Sequence, residues 1–281
     1  MEEIKSVLGR IRWKLRRYRL IHKYRSYPIS KLIFYDTLGR VFYKQSASYK
    51  KKRKQIANCI YRSLRSFSKI VAIKDYSLKF SNKSQIEEVL LERVYTSYRD
   101  FIPTQEDTVV DVGAQYGDYA ILCAGYYKVK KVYCFEPLKL NFKEIEKNIK
   151  LNKLKNISAY NVALGSENKM IKITYNGDMA GIGGGRTQKT YLKTLDSYRL
   201  KPTILKIDVE GFEMDVLRGA IKTISKSHPK IIIETHTSKL RKEVLSFLGS
   251  IGYKVKHYGR SVTPKAGEFD FVQNLFLTYK S

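Results

Sequence analysis

The chain has 281 residues, with 43% hydrophobic and 28% charged side chains. That balance sits near the globular average and excludes a wholly disordered, collagen-like or disulfide-scaffold chain. Lys plus Arg number 54 against 26 Asp plus Glu, and this excess of positive charge attracts anionic partners such as nucleic acid or acidic lipid headgroups. Three cysteines (Cys59, Cys123 and Cys134) at spacings that match neither a zinc motif nor a disulfide framework suggest a reducing, cytoplasmic location. No segment approaches the roughly 18 charge-poor apolar residues of a membrane span, and the N-terminus shows no secretion signal.

Residues 1–54 hold 17 Lys/Arg against Glu2, Glu3 and Asp36, which is half of the net charge. Within them Ile4, Val7, Leu8, Ile11, Leu15 and Tyr18 recur at three- and four-residue steps, the pattern of a basic amphipathic helix. Such a helix can lie peripherally on an anionic membrane or track the phosphates of a nucleic acid, or it can pack on its own domain. The residues indicate no stable protein partner. Ser84-Gln85-Ile86-Glu87 reads as a capping box opening a helix to about Tyr98. The chain thus divides into a basic, mainly helical extension over residues 1–83 and a second domain over 84–281.

From residue 107 onward, β-branched runs alternate with helical stretches. The runs are 108–112, 131–135, 157–162, 203–207 and 230–233, with closing strands at 253–257 and 269–279. Strands separated by helices imply a mostly parallel α/β sheet of seven strands with helices on both faces. A helix is expected over 212–225, and a hairpin over 169–175. The glycine-rich stretch Gly181 to Arg186 suits either a mobile segment over a substrate or a solvated linker.

The first strand runs into Asp111-Val112-Gly113-Ala114-Gln115-Tyr116-Gly117, a G-x-x-x-G turn that is neither the dinucleotide fingerprint nor a P-loop. An acid before the turn disfavours pyrophosphate and favours a ligand bearing an ammonium or sulfonium group, which points to S-adenosylmethionine. Glu136-Pro137 follows the second strand, and a carboxylate there can accept from ribose hydroxyls. Asn161, Val162 and Ala163, after the third strand, are placed to flank an adenine. The fourth strand delivers Lys206, Asp208 and Glu210 to the topological switch point, and the fifth ends in Glu234 and His236, which share one face. Asp208 or Glu210 could alternatively serve only to cap the following helix.

Val110-Asp111-Val112-Gly113-Ala114, Phe135-Glu136-Pro137, Ala163-Leu164-Gly165, Thr194-Leu195-Asp196, Lys206 to Gly211 with Leu217-Arg218-Gly219-Ala220, and Glu234-Thr235-His236 together resemble the FkbM family of methyltransferases. Gln115 stands where that family commonly has Asn. The resemblance covers roughly residues 86–258. It implies a class I (Rossmann-like) methyltransferase fold, S-adenosylmethionine as cofactor and methyl transfer to a hydroxyl, often of a saccharide; a glycolipid is a related acceptor. Such chemistry needs a base near the hydroxyl. Asp208 and His236 are the candidates, with Lys206, Glu210 and Glu234 orienting. Asp208, Glu210 and Glu234 or His236 also offer donors suited to Mg²⁺, although no metal site is assigned. The competing readings are an RNA methyltransferase that uses the basic extension, and a non-catalytic nucleic-acid or membrane binder retaining the fold.

Overall fold

The computed structural model describes residues 71–73, 77–81, 89–90, 93–176, 179–181, 185–262 and 272–280, all within the unit Ile70–Ser281. The expected basic helix at the N-terminus, the capping box at 84–87 and the stretch Ile182 to Gly184 lie outside the described residues.

Seven strands form the main sheet. They are β3 (Thr108–Val112), β4 (Lys131–Phe135), β5 (Ile157–Tyr160), β10 (Ile204–Ile207), β11 (Lys230–Thr235), β12 (Tyr253–Val262) and β13 (Val272–Tyr279). Their order across the sheet is β12-β13-β11-β10-β3-β4-β5. Five run parallel, and β13 is antiparallel to both neighbours, as expected of the closing strands. The central strands are buried on both faces, which explains why they read as continuous apolar runs rather than alternating ones.

The faces separate two cores. Val109, Val132, Cys134, Ile204 and Ile232 point to one, with α1 (Asp118–Ile121), the π-helical turn Leu122–Tyr126 and Ile145 of α2 (Lys139–Leu151). Val110, Val112, Leu205, Ile207, Ile231 and Ile233 point to the other. There they meet α3 (Glu213–Gly219), α4 (Ile221–Ser227) and α5 (Ser238–Ser250). The hairpin of β1 (Val71–Ile73) and β2 (Leu78–Phe80) adds Leu78 and Phe80 to the first core. Its chain is tied to α2 because Asn148 Oδ1 accepts from the Ser81 amide at 2.7 Å.

Three details differ from expectation. Residues 93–98 are turn and bend rather than helix, with Arg93 left-handed at φ 58°. The helix expected over 212–225 is broken at Ala220. A Cβ on Gly219 would lie 1.8 Å from the Gly165 carbonyl oxygen, so the chain passes too close there for a side chain. Asp196 then restarts the helix, accepting from the Thr223 amide at 2.7 Å and the Lys222 amide at 3.1 Å. Finally, β6 (Ala163–Leu164), β7 (Lys169–Asn176), β8 (Met179–Gly181) and β9 (Arg186–Lys193) form a separate four-stranded sheet that extends the predicted hairpin.

Candidate active site

Parallel pairing places Asp111 of β3 directly opposite Lys206 of β10. Both face the first core, so each charge is buried and needs the other. Lys206 Nζ lies 3.1 Å from Asp111 Oδ1, donates to the Gly113 carbonyl at 3.0 Å, and stands 3.6 Å from Asp208 Oδ2. The ammonium that Asp111 meets is therefore one from its own chain. Asp111 is fully buried and braces the Lys206 ammonium that donates to the glycine turn.

The turn itself is fixed from below, since the Gly113 and Ala114 amides both donate to the Phe135 carbonyl at 3.0 Å. Gly113 has φ 74°, and a Cβ there would sit 1.8 Å from the Asp208 carbonyl oxygen. Gln115 also adopts a left-handed φ of 48°, a conformation better suited to the Asn common in the family. Gly117 precedes α1 at φ 80°. Glu136 Oε2 accepts from the Gln115 amide at 2.9 Å, and Oε1 accepts from the Leu138 amide at 2.9 Å and Asn141 Nδ2 at 3.3 Å. Three of its roughly four acceptor positions are thus taken by described residues. Burial, only partly offset by these bonds, raises Glu136 to about 7.

Asn161 Nδ2 donates to the Glu136 and Pro137 carbonyls at 2.8 and 3.0 Å. Its amide therefore secures the turn after β4. Val162 packs against the second core, and Ala163 begins β6.

At the ends of β10 and β11 the remaining candidates converge. His236 Nε2 is 3.3 Å from Glu210 Oε2 and 3.8 Å from Asp208 Oδ1, while Asp208 Oδ2 accepts from the Tyr95 hydroxyl at 2.7 Å. Glu234 accepts from Asn274 Nδ2 at 3.1 Å. Glu210 is held at φ 54°, a strained conformation for a non-glycine residue at the tip of this loop.

Sequence reading did not find Glu213. This fully buried acid uses Oε1 to accept from the Gly211 amide at 3.1 Å and the Val209 amide at 3.3 Å, and the same oxygen lies 3.0 Å from His236 Nδ1. It closes the loop after β10 and orients the imidazole. Its only sequence signal is an acid in the first helical turn, which reads as an ordinary helix-start charge.

The charges are coupled. Burial and then the negative charge of Asp208 raise Glu210 to about 7 and Glu234 to about 8. Burial opposes protonation of His236, but the Glu213 hydrogen bond and the charges of Asp208, Glu213 and Glu210 prevail and raise it to about 9. His236 is thus an imidazolium at neutral pH. A group whose value is raised on folding stabilises the fold below its unfolded value and loses that contribution as pH rises through the folded one. All three shifts act in the same direction. Thermal unfolding of the ligand-free protein is expected to show stability falling between pH 6 and pH 9.5 by on the order of 1–3 kcal/mol, with a shallower fall in His236→Gln. A flat profile in the wild type would contradict the charge assignment.

Asp208, Glu210 and His236 each bring one donor atom within 4.8 Å of the others, a set that could also hold a divalent cation. Oxygen-rich donors of this kind suit Mg²⁺. Among the described residues no helix is long and apolar enough to cross a membrane.

A mostly parallel seven-stranded sheet with an antiparallel penultimate strand, and with a glycine turn and an acid on adjacent strand ends, defines a class I methyltransferase. The methyltransferase FkbM domain model matches residues 111–255, and the chain belongs to this family, whose methyl donor is S-adenosylmethionine. It is similar to Methyltransferase 1 of Beauveria bassiana, at 25% identity over 189 residues covering 54% of this chain and 74% of that protein. It is also similar to the hexuronic acid methyltransferase AglP of Haloferax volcanii, at 24% identity over 204 residues covering 64% and 79%. Among solved structures, an FkbM methyltransferase from Methylobacillus flagellatus KT aligns at 17% identity and a TM-score of 0.48, over 78% of this chain but only 60% of that one.

Proposed function

We propose that the chain is an O-methyltransferase acting on a hydroxyl of a saccharide or glycolipid acceptor. The observation that carries this reading is the cluster of Asp208, Glu210 and His236 lying against the glycine turn, where Gly113 touches the Asp208 backbone. The likeness to a hexuronic acid methyltransferase supports the choice of acceptor class.

S-adenosylmethionine supplies the methyl group from its sulfonium. We assign its binding to Gly113, Ala114, Gln115 and Gly117 along the turn, Glu136 at the ribose, and Pro137, Asn161, Val162 and Ala163 along the adenine, with Asp111 supporting the turn from beneath. The residues fit this ligand because Glu136 retains an acceptor position among the described residues and sits on the strand end next to the turn.

Asp208 takes the hydroxyl proton as the oxygen–methyl bond forms. The carboxylates around His236 favour its protonated, donating form, which supports Asp208 over His236 as the base. Glu210 and Glu234 bind neighbouring hydroxyls of the acceptor, and Lys206 keeps the turn and Asp208 in place. The chain's contribution is mainly alignment and exclusion of water. The 17 Lys/Arg of residues 1–54 suit attraction to acidic headgroups around a lipid-linked acceptor.

The test is methyl transfer by the purified full chain from labelled S-adenosylmethionine to hexuronic-acid saccharides, neutral saccharides, lipid-linked saccharides and RNA. The expected product is a saccharide whose label survives mild alkali, as an ether does. Release of the label as methanol would move the acceptor to a carboxylate, and labelling of RNA alone would replace the saccharide reading. In a parallel arm with EDTA, an unchanged rate keeps the acids in proton-transfer and hydrogen-bonding roles. A loss of more than about tenfold restored by Mg²⁺ would make Asp208, Glu210 and His236 cation ligands, a loss within the range metal-ion catalysis supplies.

A further inference from the structure

Tyr95 lies N-terminal to the family match at residues 111–255 and belongs to none of the motifs that carry the resemblance. The structure nevertheless puts it against two candidate site residues, Asp208 and Lys206, and against Tyr119 of α1 in the first core. Its hydroxyl donates to Asp208 Oδ2 at 2.7 Å, Lys206 Nζ lies 5.1 Å from its ring centroid, and its ring meets Tyr119 edge-on at 5.3 Å. The side chain is buried at 4% exposure. We propose that Tyr95 is a positioning residue for the methyl transfer, its hydroxyl holding one oxygen of Asp208 so that the other is turned toward His236 and the acceptor.

The geometry supports this in two ways. Lys206 stands 3.6 Å from the same Asp208 oxygen, on the side of the buried Asp111 pair. Both donors converge on this one oxygen, and the Tyr95 hydroxyl at 2.7 Å is the nearer, so it fixes the carboxylate while Lys206 stays paired with Asp111. Without it, Lys206 is the remaining donor toward which the carboxylate is drawn. Burial, followed by the charges of Asp208 and Glu234, pushes the phenol well above its ordinary value, so it remains a donor at working pH. A neutral donor to a carboxylate forms one of the stronger hydrogen bonds available, and it costs no counter-charge in the cleft.

This inference rests on the proposed role of Asp208, and the test separates the two. Tyr95→Phe keeps the ring in the core and removes only the hydroxyl. The expected result is a fall in kcat of about tenfold, with acceptor KM and S-adenosylmethionine affinity within about twofold, since one hydrogen bond to a charged group accounts for a change of that order. In an Asp208→Asn background the same substitution is expected to have no further effect, because it acts through that carboxylate. Equal losses in both backgrounds would show a merely structural tyrosine and overturn the proposal. Crystal structures of the wild type and Tyr95→Phe give a reading that does not depend on the acceptor. A carboxylate swung toward Lys206 in the variant sustains the positioning role even if no tested acceptor is methylated, and an unmoved carboxylate refutes it.

Discussion

Asp208→Asn is expected to lower kcat by about 10²–10⁴, the usual contribution of a general base, while leaving S-adenosylmethionine affinity within a few-fold. The substitution keeps the side-chain shape and the contact with Tyr95, but it removes the charge that faces Lys206 and His236 at 3.6 and 3.8 Å. Steady-state kinetics beside calorimetric titration of the cofactor separates the two effects. Glu210→Gln is the informative companion. Glu210 is raised to about 7 and is itself poised to accept a proton near neutrality, so a larger loss there than in Asp208→Asn would transfer the base to Glu210.

Glu136→Ala is expected to weaken S-adenosylmethionine and S-adenosylhomocysteine binding by a factor on the order of 10–100, the equivalent of one hydrogen bond to a charged group. It also removes the acceptor of the Gln115 and Leu138 amides, at a cost of about 1–3 kcal/mol for the buried Leu138 amide. Thermal unfolding should therefore move with the affinity. Glu136→Gln, which keeps an acceptor oxygen, is expected to fall between the two. Calorimetry showing wild-type affinity in Glu136→Ala would remove Glu136 from the cofactor site.

Where burial on both faces forces apolar runs, as at 108–112 and 131–135, the observed strands have the limits read from the residues. The small sheet was only partly legible. Along β9 most side chains are exposed or half-exposed, so its residues carry little hydrophobic pattern. The break at Ala220 depends on Gly165 and Asp196, distant residues that no local propensity reveals. The candidate residues at the strand ends follow from topology, since open α/β sheets bind ligands there. The pairing of Asp111 with Lys206 required the register between β3 and β10, which residue types alone do not specify. Tyr95 and Glu213 carry no motif; they stand out only through their contacts in the fold, Tyr95 on Asp208 and Glu213 on the Val209 and Gly211 amides and the His236 imidazole.

The contact between Gly113 and the Asp208 carbonyl joins the turn assigned to the donor to the loop assigned to the acceptor, backbone against backbone. The two halves of the cleft cannot then drift independently. Any rearrangement of the loop after β10 that widens room for a bulkier acceptor also displaces the turn after β3. New acceptor preferences within this scaffold would have to arise from the surrounding walls, with Tyr95, the turn after β3 and the loop after β10 left untouched. Libraries confined to those walls should yield more active variants than libraries spread across the loop after β10.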